Sequence, residues 1–382
     1  MAIIWKEIGP YSELGKERSE SLWIQKQYRY NEGLKVDHKK KNRPSLEEDI
    51  STEVAVIGAG LAGVLIAYLL QARGVSVVVL EKNEIGGGIT KNTTAKISSQ
   101  HGLIYRKLLT YKGEELAREY AWANQHAIEK FKQIIDQLQI DCDFEVMPSF
   151  VYTLDNDLMI KQEVEAAKKL GLPAVYTKET ALPFPVKSAI RFDQQAQFHP
   201  LKFLDTVAKQ LLVYEHTRIT EINSNGLIKT EKGSVRAKKI IIATHYPFIN
   251  APGYYFLRLH QEREYLLALE GCSNDKNTRL NGMYLDADPQ GYTFRNYKEY
   301  LIFGGGSHRT GKYNPPNSYG QLEKTAKQWF PSCKIKYTWS NQDCMTPDSI
   351  PYIGRYSVNT RNIYVATGFN KWGMSGSMVA AM

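Results

Sequence analysis

The sequence predicts an α/β protein of two domains, and three observations carry that prediction. One stretch, Val54 to Glu81, reads as strand, glycine turn, helix, strand and acid in about 30 residues. Two later apolar strands, Lys239 to Thr244 (KIIIAT) and Asn362 to Gly368 (NIYVATG), both end on Ala-Thr, as if distant chain returned to one sheet. At 382 residues the chain exceeds one simple core and suits two domains.

Composition removes several classes. Apolar residues make up 43% and charged residues 23%, with 28 glycines and 15 prolines, which excludes collagen-like and low-complexity chains. Lys+Arg 49 against Asp+Glu 40 leaves +9, enough to attract anionic ligands but too thinly spread for a nucleic-acid partner. No window holds the roughly 18 consecutive apolar residues of a membrane span. The longest apolar stretch, Leu61 to Leu70, reads as a buried helix, and Met1 to Ser19 has no apolar core of signal-peptide type. Cys142, Cys272, Cys333 and Cys344 form no C-x-x-C pair and no zinc spacing, which predicts reduced thiols, no metal site and a cytoplasmic location.

In chain order, residues 1–50 read as a polar arm whose Trp5, Trp23, Tyr28 and Tyr30 pack on the body. His38-Lys39-Lys40-Lys41 and Glu47-Glu48-Asp49 read as a solvated linker. Val54 to Ile57 is the first buried strand. Gly58 permits the tight turn after it, Gly60 lets a pyrophosphate approach the backbone, and Gly63 lets the helix sit close on the sheet. Leu61 and Ala62 open that helix, whose N-terminal N–H groups face the phosphates. Gly74 ends the helix, Ser76 to Leu80 forms a second strand, and Glu81, followed by Lys82, is placed to accept hydrogen bonds from a ribose. This is a Rossmann-like dinucleotide fingerprint.

FAD fits it better than NAD. A second glycine cluster, Gly86-Gly87-Gly88-Ile89-Thr90, follows where an extended flavin nucleotide would continue. No second G-x-G-x-x-G follows a strand, and no C-x-x-x-x-C redox pair occurs. Helices are predicted from Glu114 to Gln139 and from Gln162 to Leu170, the latter closed by Gly171. Strands are predicted over Phe150 to Thr153, Glu264 to Leu269, Gly291 to Phe294 and Glu299 to Phe303, the last ending at Gly304-Gly305-Gly306.

Over residues 50–382 the sequence resembles the D-amino-acid oxidase and glycine oxidase (DAO) superfamily of FAD-dependent oxidoreductases, within it the branch that carries a C-terminal Rieske iron–sulfur domain. The matching stretches are GGGITKNTTAKISSQHGLIY (86–105), DCDFE (141–145), LPFPVKSAIRF (182–192), QAQFHPLKFL (195–204), ATHYPF (243–248), DSIPYIGR (348–355) and ATGFNKWGMS (366–375). A Rieske cluster needs two Cys and two His. No C-x-H or C-x-x-H occurs in this chain, which stops at Met382, so the cluster domain is expected to be absent.

The resemblance implies a discontinuous FAD-binding domain (51–110, 196–250 and 345–382). It also implies a substrate domain (111–195 and 251–344) on a large mixed or antiparallel sheet. The cofactor contacts it implies are Gly58, Gly60, Leu61, Ala62, Gly63, Glu81, Lys82, Gly88, Ile89, Thr90, Ile219, Ala243, Thr244, Gly368, Gly373, Met374 and Ser375. Gly373 to Gly376 is expected to start a helix whose N–H groups stabilise charge on the reduced flavin. The implied activity is oxidation of the C–N bond of a small amine or amino acid by hydride transfer to flavin.

The substrate-side expectations are Lys96 at the flavin edge, His101 as a pocket base or covalent anchor, and Tyr152 and His199 near the substrate. Arg258 and His260, on one strand face with Arg263 nearby, are expected to clamp a carboxylate. Lys371 and Trp372 are expected over the flavin face, whereas Asp343 and Asp348 are expected only to hold loops. Two further readings stand beside an oxidase: a dehydrogenase passing electrons to a separate acceptor protein, and a truncated flavin-binding remnant without activity.

Overall fold

The computed structural model describes residues 20–25, 43–272, 279–311 and 318–382. Trp5, Tyr28, Tyr30 and the His38–Lys41 run lie outside the described residues. Trp23 lies within them and is fully buried in the core, as expected of the arm.

Two sheets organise the chain. In the first, strand Ile50–Ile57 lies between parallel neighbours Val77–Leu80 and Ser234–Ile242, and Ile363–Thr367 adds in parallel beyond Ser234–Ile242. Valine, isoleucine and alanine fill these strands because both faces are covered. Helix Leu61–Gln71 is buried along nearly its whole length, and helix Gly373–Ala381 packs against it. The two Ala-Thr strands thus do return to the sheet that the glycine turn opens.

The second sheet is mixed and mainly antiparallel. Its path runs Lys334–Met345, His260–Glu270, Tyr300–Arg309, Thr293–Tyr297, Met283–Asp286, Glu145–Thr153, Ser188–Gln197 and Lys96–Ile97. One apolar core joins the layers: Val56, Leu65 and Met378 of the first side meet Leu266, Ala268 and Trp339 of the second. The long helix Glu114–Leu138 lays Ala127, Phe131 and Ile134 on that core and ends at Gln139 in the left-handed region, φ 50°.

Several expectations are corrected. Residues 96–110 do not stay with the first sheet: Lys96–Ile97 pairs with Ser188–Gln197, and Tyr105 and Leu108 pack with Val151 and Ile190. The second helix begins at Asp157 rather than Gln162, because Asn156 Oδ1 accepts the Met159 N–H at 3.2 Å and caps it there. Gly304 to Gly306 do not end a strand; it continues to Arg309, and Gly304 lets Leu266 and Thr293 pack close over it. The thiols are not all reduced. Cys272 and Cys333, 61 residues apart, form a disulfide with Cα atoms 5.1 Å apart, a contact that only the fold brings together. Cys142 and Cys344 are free and buried. Among the described residues no helix is long and apolar enough to cross a membrane, and no cluster of three or more His, Cys, Asp or Glu is placed to hold a metal.

Candidate functional site

A cleft of about 600 Å³ runs between the two sheets, within the size range of small-molecule and cofactor sites. Its first end is built from backbone. Gly58 takes φ +104° and donates to Leu80 O at 2.8 Å, and a Cβ there would lie 2.6 Å from Ala243 O. A Cβ on Gly63 would lie 1.9 Å from Gly58 O, so helix and turn touch directly. Packing demands both glycines. Gly60, Gly88 and Gly373 differ: a Cβ on Gly60 would meet only Thr90 Oγ1 at 3.6 Å, and one on Gly88 or Gly373 nothing within 4 Å. All three line the cleft, so their missing side chains leave its wall open to a ligand.

Two helix N-termini, at Leu61 and at Gly373, border the same cleft, and neither N-cap residue supplies a side-chain cap. Thr90 Oγ1 accepts the Leu61 N–H at 3.1 Å. Glu81 lines the cleft and holds the turn, accepting Ala59 N–H at 2.8 Å and Asn83 N–H at 2.9 Å. Lone pairs remain on its carboxylate for a ribose hydroxyl.

The other end lies against the second sheet. Residues 92–95 cross between the layers and are pinned from behind. Trp339 Nε1 donates to Asn92 O at 3.0 Å, Trp23 Nε1 to Thr93 O at 2.7 Å, and Arg295 Nη1 to Thr94 O at 2.8 Å and Ala95 O at 2.7 Å. The sheet wall there carries Glu264, Leu266, Asn341 and Asp343, and Lys371 faces them. Lys371 sits at φ 69°, a left-handed backbone held by its neighbour Asn370, whose Oδ1 accepts the Thr346 N–H at 2.7 Å. Its ammonium lies 3.2 Å from Glu262 Oε2 and donates to Ser307 Oγ. Burial raises the Asp343 carboxyl to about 7 despite the nearby Lys371.

Of the sequence-derived cofactor residues, Gly58, Gly60, Leu61, Ala62, Glu81, Lys82, Gly88, Ile89, Thr90, Ile219, Ala243, Thr244, Gly373 and Met374 line the cleft. Gly63, Gly368 and Ser375 do not. Gly63 acts through packing, Gly368 (φ 71°) through the turn after the last strand, and Ser375 through His101, whose Nε2 lies 2.9 Å from its Oγ.

Of the substrate-side candidates only Lys371 lines the cleft. Lys96 Nζ instead donates to Tyr284 O at 2.8 Å and to Thr293 Oγ1, and burial lowers its pKa to about 7. His101 is enclosed. Nδ1 lies 2.6 Å from Tyr120 OH, Nε2 also lies 2.8 Å from Ser98 O, and its ring stacks 4.6 Å from Trp372. Burial holds it neutral, its pKa lowered to about 3. Trp372 therefore covers His101 rather than the cleft.

Tyr152 lies in an aromatic cluster with Phe184 and Phe294. His199 caps helix Pro200–Ala208, with its ring edge-on to Trp23 at 5.1 Å. Arg258 is exposed because a short turn, Tyr255–Leu257, precedes the strand, which starts only at His260. Its guanidinium lies over Tyr255, Arg263 bonds Gln342 Oε1 at 2.9 Å, and no clamp forms. Asp348 does hold a loop, accepting Ile350 N–H at 3.2 Å, but Asp343 belongs to a strand of the cleft wall. Sequence reasoning also missed Glu264, Asn341 and His245, although His245 stands in a stretch it quoted.

An open parallel sheet with a glycine turn and two helix N-termini on one long cleft defines a class: proteins that bind an extended dinucleotide. Comparison supplies the family. Residues 53–382 match the FAD dependent oxidoreductase family DAO, and the chain belongs to it. The chain is 36% identical to the "Putative Rieske 2Fe-2S iron-sulfur protein YhfW" of Bacillus subtilis, over 88% of this chain and 69% of that protein. It is 24% identical to gamma-glutamylputrescine oxidoreductase of Escherichia coli, over 88% of this chain and 83% of that one. Its fold is similar to the L-proline dehydrogenase of P. horikoshii (TM-score 0.72, 20% identity, 88% and 92% of the chains) and to the glycine oxidase of Geobacillus kaustophilus (TM-score 0.67, 15% identity, 87% and 92%). The family's cofactor is FAD, and the open positions at Gly60, Gly88 and Gly373 fit it.

Proposed function

We propose that this FAD-dependent oxidoreductase oxidises the C–N bond of a small amine or amino acid by hydride transfer. The observation that supports this reading is the continuity of one cleft from the glycine turn to a charged sheet wall. That continuity lets one end grip a nucleotide while the other presents polar groups to a second molecule. The names of the relatives, among them gamma-glutamylputrescine oxidoreductase and glycine oxidase, point to amine and amino-acid donors.

Bound FAD supplies the two-electron acceptor. The protein's own residues do the rest. The N–H groups of Gly60 and Ala62 face the pyrophosphate while Thr90 Oγ1 holds the Leu61 N–H, and those at Gly373 and Met374 face negative charge that develops during the reaction. Asn92 to Ala95, fixed by two indoles and a guanidinium, form a rigid edge that orients and excludes water. Purified protein should show a flavin spectrum whose colour passes into the supernatant on acid precipitation. Anaerobic addition of the right amine should bleach it, and a flavin-containing protein that no amine or amino acid bleaches would sink the proposal.

A second reading, electron transfer to a separate iron–sulfur or other carrier protein, is favoured by the likeness to a Rieske-named relative. Reoxidation by O₂ that is slow against bleaching would select it.

A further inference from the structure

We infer that Ser21 and Trp23, on the N-terminal arm, are positioning residues for the flavin ring: they hold the peptide groups of the cleft edge so that N–H donors face it. This rests on the flavin reading of the cleft and extends it to a part of the chain outside the family match, which covers residues 53–382.

Lys91 to Ala95 form that edge, with Thr93 and Thr94 on the lining of the cleft. Their carbonyls are taken alternately by the arm and by the second sheet. Ser21 Oγ donates to Lys91 O, and Trp339 Nε1 to Asn92 O at 3.0 Å. Trp23 Nε1 donates to Thr93 O at 2.7 Å, and Arg295 Nη1 to Thr94 O at 2.8 Å. None of these four donor residues lines the cleft, so the carbonyls point away from it.

In a planar trans peptide the C=O and the N–H of the next residue point in opposite directions. Holding Asn92 O behind the edge therefore turns the Thr93 N–H to the front, and holding Thr93 O does the same for the Thr94 N–H. The Ala95 N–H is taken by Thr93 Oγ1 at 3.0 Å. Among the described residues no backbone carbonyl accepts from Thr93 or Thr94. Two donors are left for an acceptor in the cleft, at the end away from the glycine turn, where the ring lies once the turn holds the pyrophosphate. Donors fixed there favour the reduced ring, which carries more negative charge, over the oxidised one.

The arm is built to keep the indole still. Leu22 and Trp23 are fully buried, and the Ile24 N–H donates to Ser21 O at 3.2 Å in a short helical turn. The Trp23 ring lies under the Arg295 guanidinium at 5.3 Å and meets Tyr297 edge-on at 4.8 Å. Arg295 is itself buried, so the donors to the adjacent Thr93 and Thr94 carbonyls brace each other. Thr93 O has no second donor among the described residues. Without the indole N–H that peptide is free to turn its own donor away from the cleft.

The test uses the full chain with bound FAD and reads the midpoint potential of the flavin and its dissociation constant, neither of which needs a substrate. Trp23→Phe keeps an aromatic ring under Arg295 and removes the donor. It should lower the potential by about 30 mV, a tenfold loss for reduced relative to oxidised flavin in a two-electron couple, and weaken FAD binding about tenfold. Ser21→Ala removes one hydroxyl and no core volume, and should move both values in the same direction by less. Leu22→Ala is the control, because Leu22 is buried in the same turn but offers no side-chain donor to the edge. It should lower the melting temperature at least as far as Trp23→Phe, as a cavity in the core does, and leave the potential at the wild-type value. Wild-type potentials in both Trp23→Phe and Ser21→Ala would overturn the inference with the flavin reading intact. So would a shift in Leu22→Ala as large as that in Trp23→Phe, which would make the arm a matter of stability alone. If Trp23→Phe takes up no flavin, the potential of Ser21→Ala decides by the same sign. Wild-type protein that takes up no flavin after reconstitution with FAD would overturn the flavin reading itself, and this inference with it.

Discussion

The two ends of the cleft are built from opposite materials. The glycine-turn end is backbone: glycines, helix N-termini and one carboxylate that ties the turn to the second strand. The far end is side chain: carboxylates, an amide and an ammonium set by strand register. Backbone donors at a helix start suit any phosphate, whereas a side-chain wall encodes one particular ligand. A fold can therefore keep the first end fixed while the second varies.

The strongest way to break the comparison is to attack the glycines that packing demands. Gly63→Ala puts a Cβ 1.9 Å from Gly58 O, and backbone cannot yield as a flexible side chain would. It should cost about 3 kcal/mol or more, as severe overpacking does. Far-ultraviolet melting should fall by many degrees, and flavin should be lost. Gly60→Ala sharpens the contrast. Its Cβ would meet only Thr90 Oγ1 at 3.6 Å, and Gly60 holds φ −74°, open to any residue. The fold should lose no more than about 1 kcal/mol, the cost of changing an N-cap residue. FAD affinity should nonetheless fall at least about tenfold, read by fluorescence titration of the apoprotein. Equal melting losses in the two variants would erase the distinction between a packing glycine and a ligand glycine.

This contrast also explains what the sequence disclosed. Gly58, Gly60, Gly63 and Glu81 lie within 24 residues, and their roles follow from local strand–turn–helix geometry. The strand through Glu264 was legible as well. Its partner was not: Asn341 and Asp343 lie nearly 80 residues on, and only pairing shows which faces meet. Arg258 misled because strand alternation was applied from Arg258 to His260, whereas Arg258 still closes the turn Tyr255–Leu257, donating its N–H to Tyr255 O at 2.9 Å, and the strand starts only at His260. His101 and His199 carried the chemistry of a base, but burial made one a bridge between segments and the other a helix cap. Residue type signals potential chemistry; solvent access decides whether it is used.

The side-chain end should also respond to pH where the backbone end cannot. Burial, the largest cause, raises Asp343 to about 7 from an ordinary value near 4. Between those values the folded chain binds more protons than the unfolded chain, so stability falls as pH rises through that window and levels off above it. Asp343→Asn should remove this part of the slope and stabilise the apoprotein at pH 8 by up to a few kcal/mol. Glu163, buried and also raised to about 7, retains a slope of the same sign, so the variant should flatten the curve only in part. Melting temperatures of both apoproteins from pH 4 to 8 measure the difference.

The smallest effect is expected at His101, which lies behind the start of helix Gly373–Ala381 and reaches that helix through Ser375 alone among its three polar partners. Burial keeps its ring neutral down to about pH 3, so no inflection between pH 5 and 8 belongs to it. His101→Gln retains a donor and an acceptor on a shorter reach and gives up the stack on Trp372. The start of helix Gly373–Ala381 should loosen, and FAD affinity should weaken by less than about tenfold. The pH profile should keep its shape, and acid should still release the flavin. Loss of an inflection would make His101 a titrating base. Flavin that remains with acid-precipitated wild-type protein but leaves the variant would make it a covalent anchor, and the line between structural histidine and reactive cleft would then run one residue deeper.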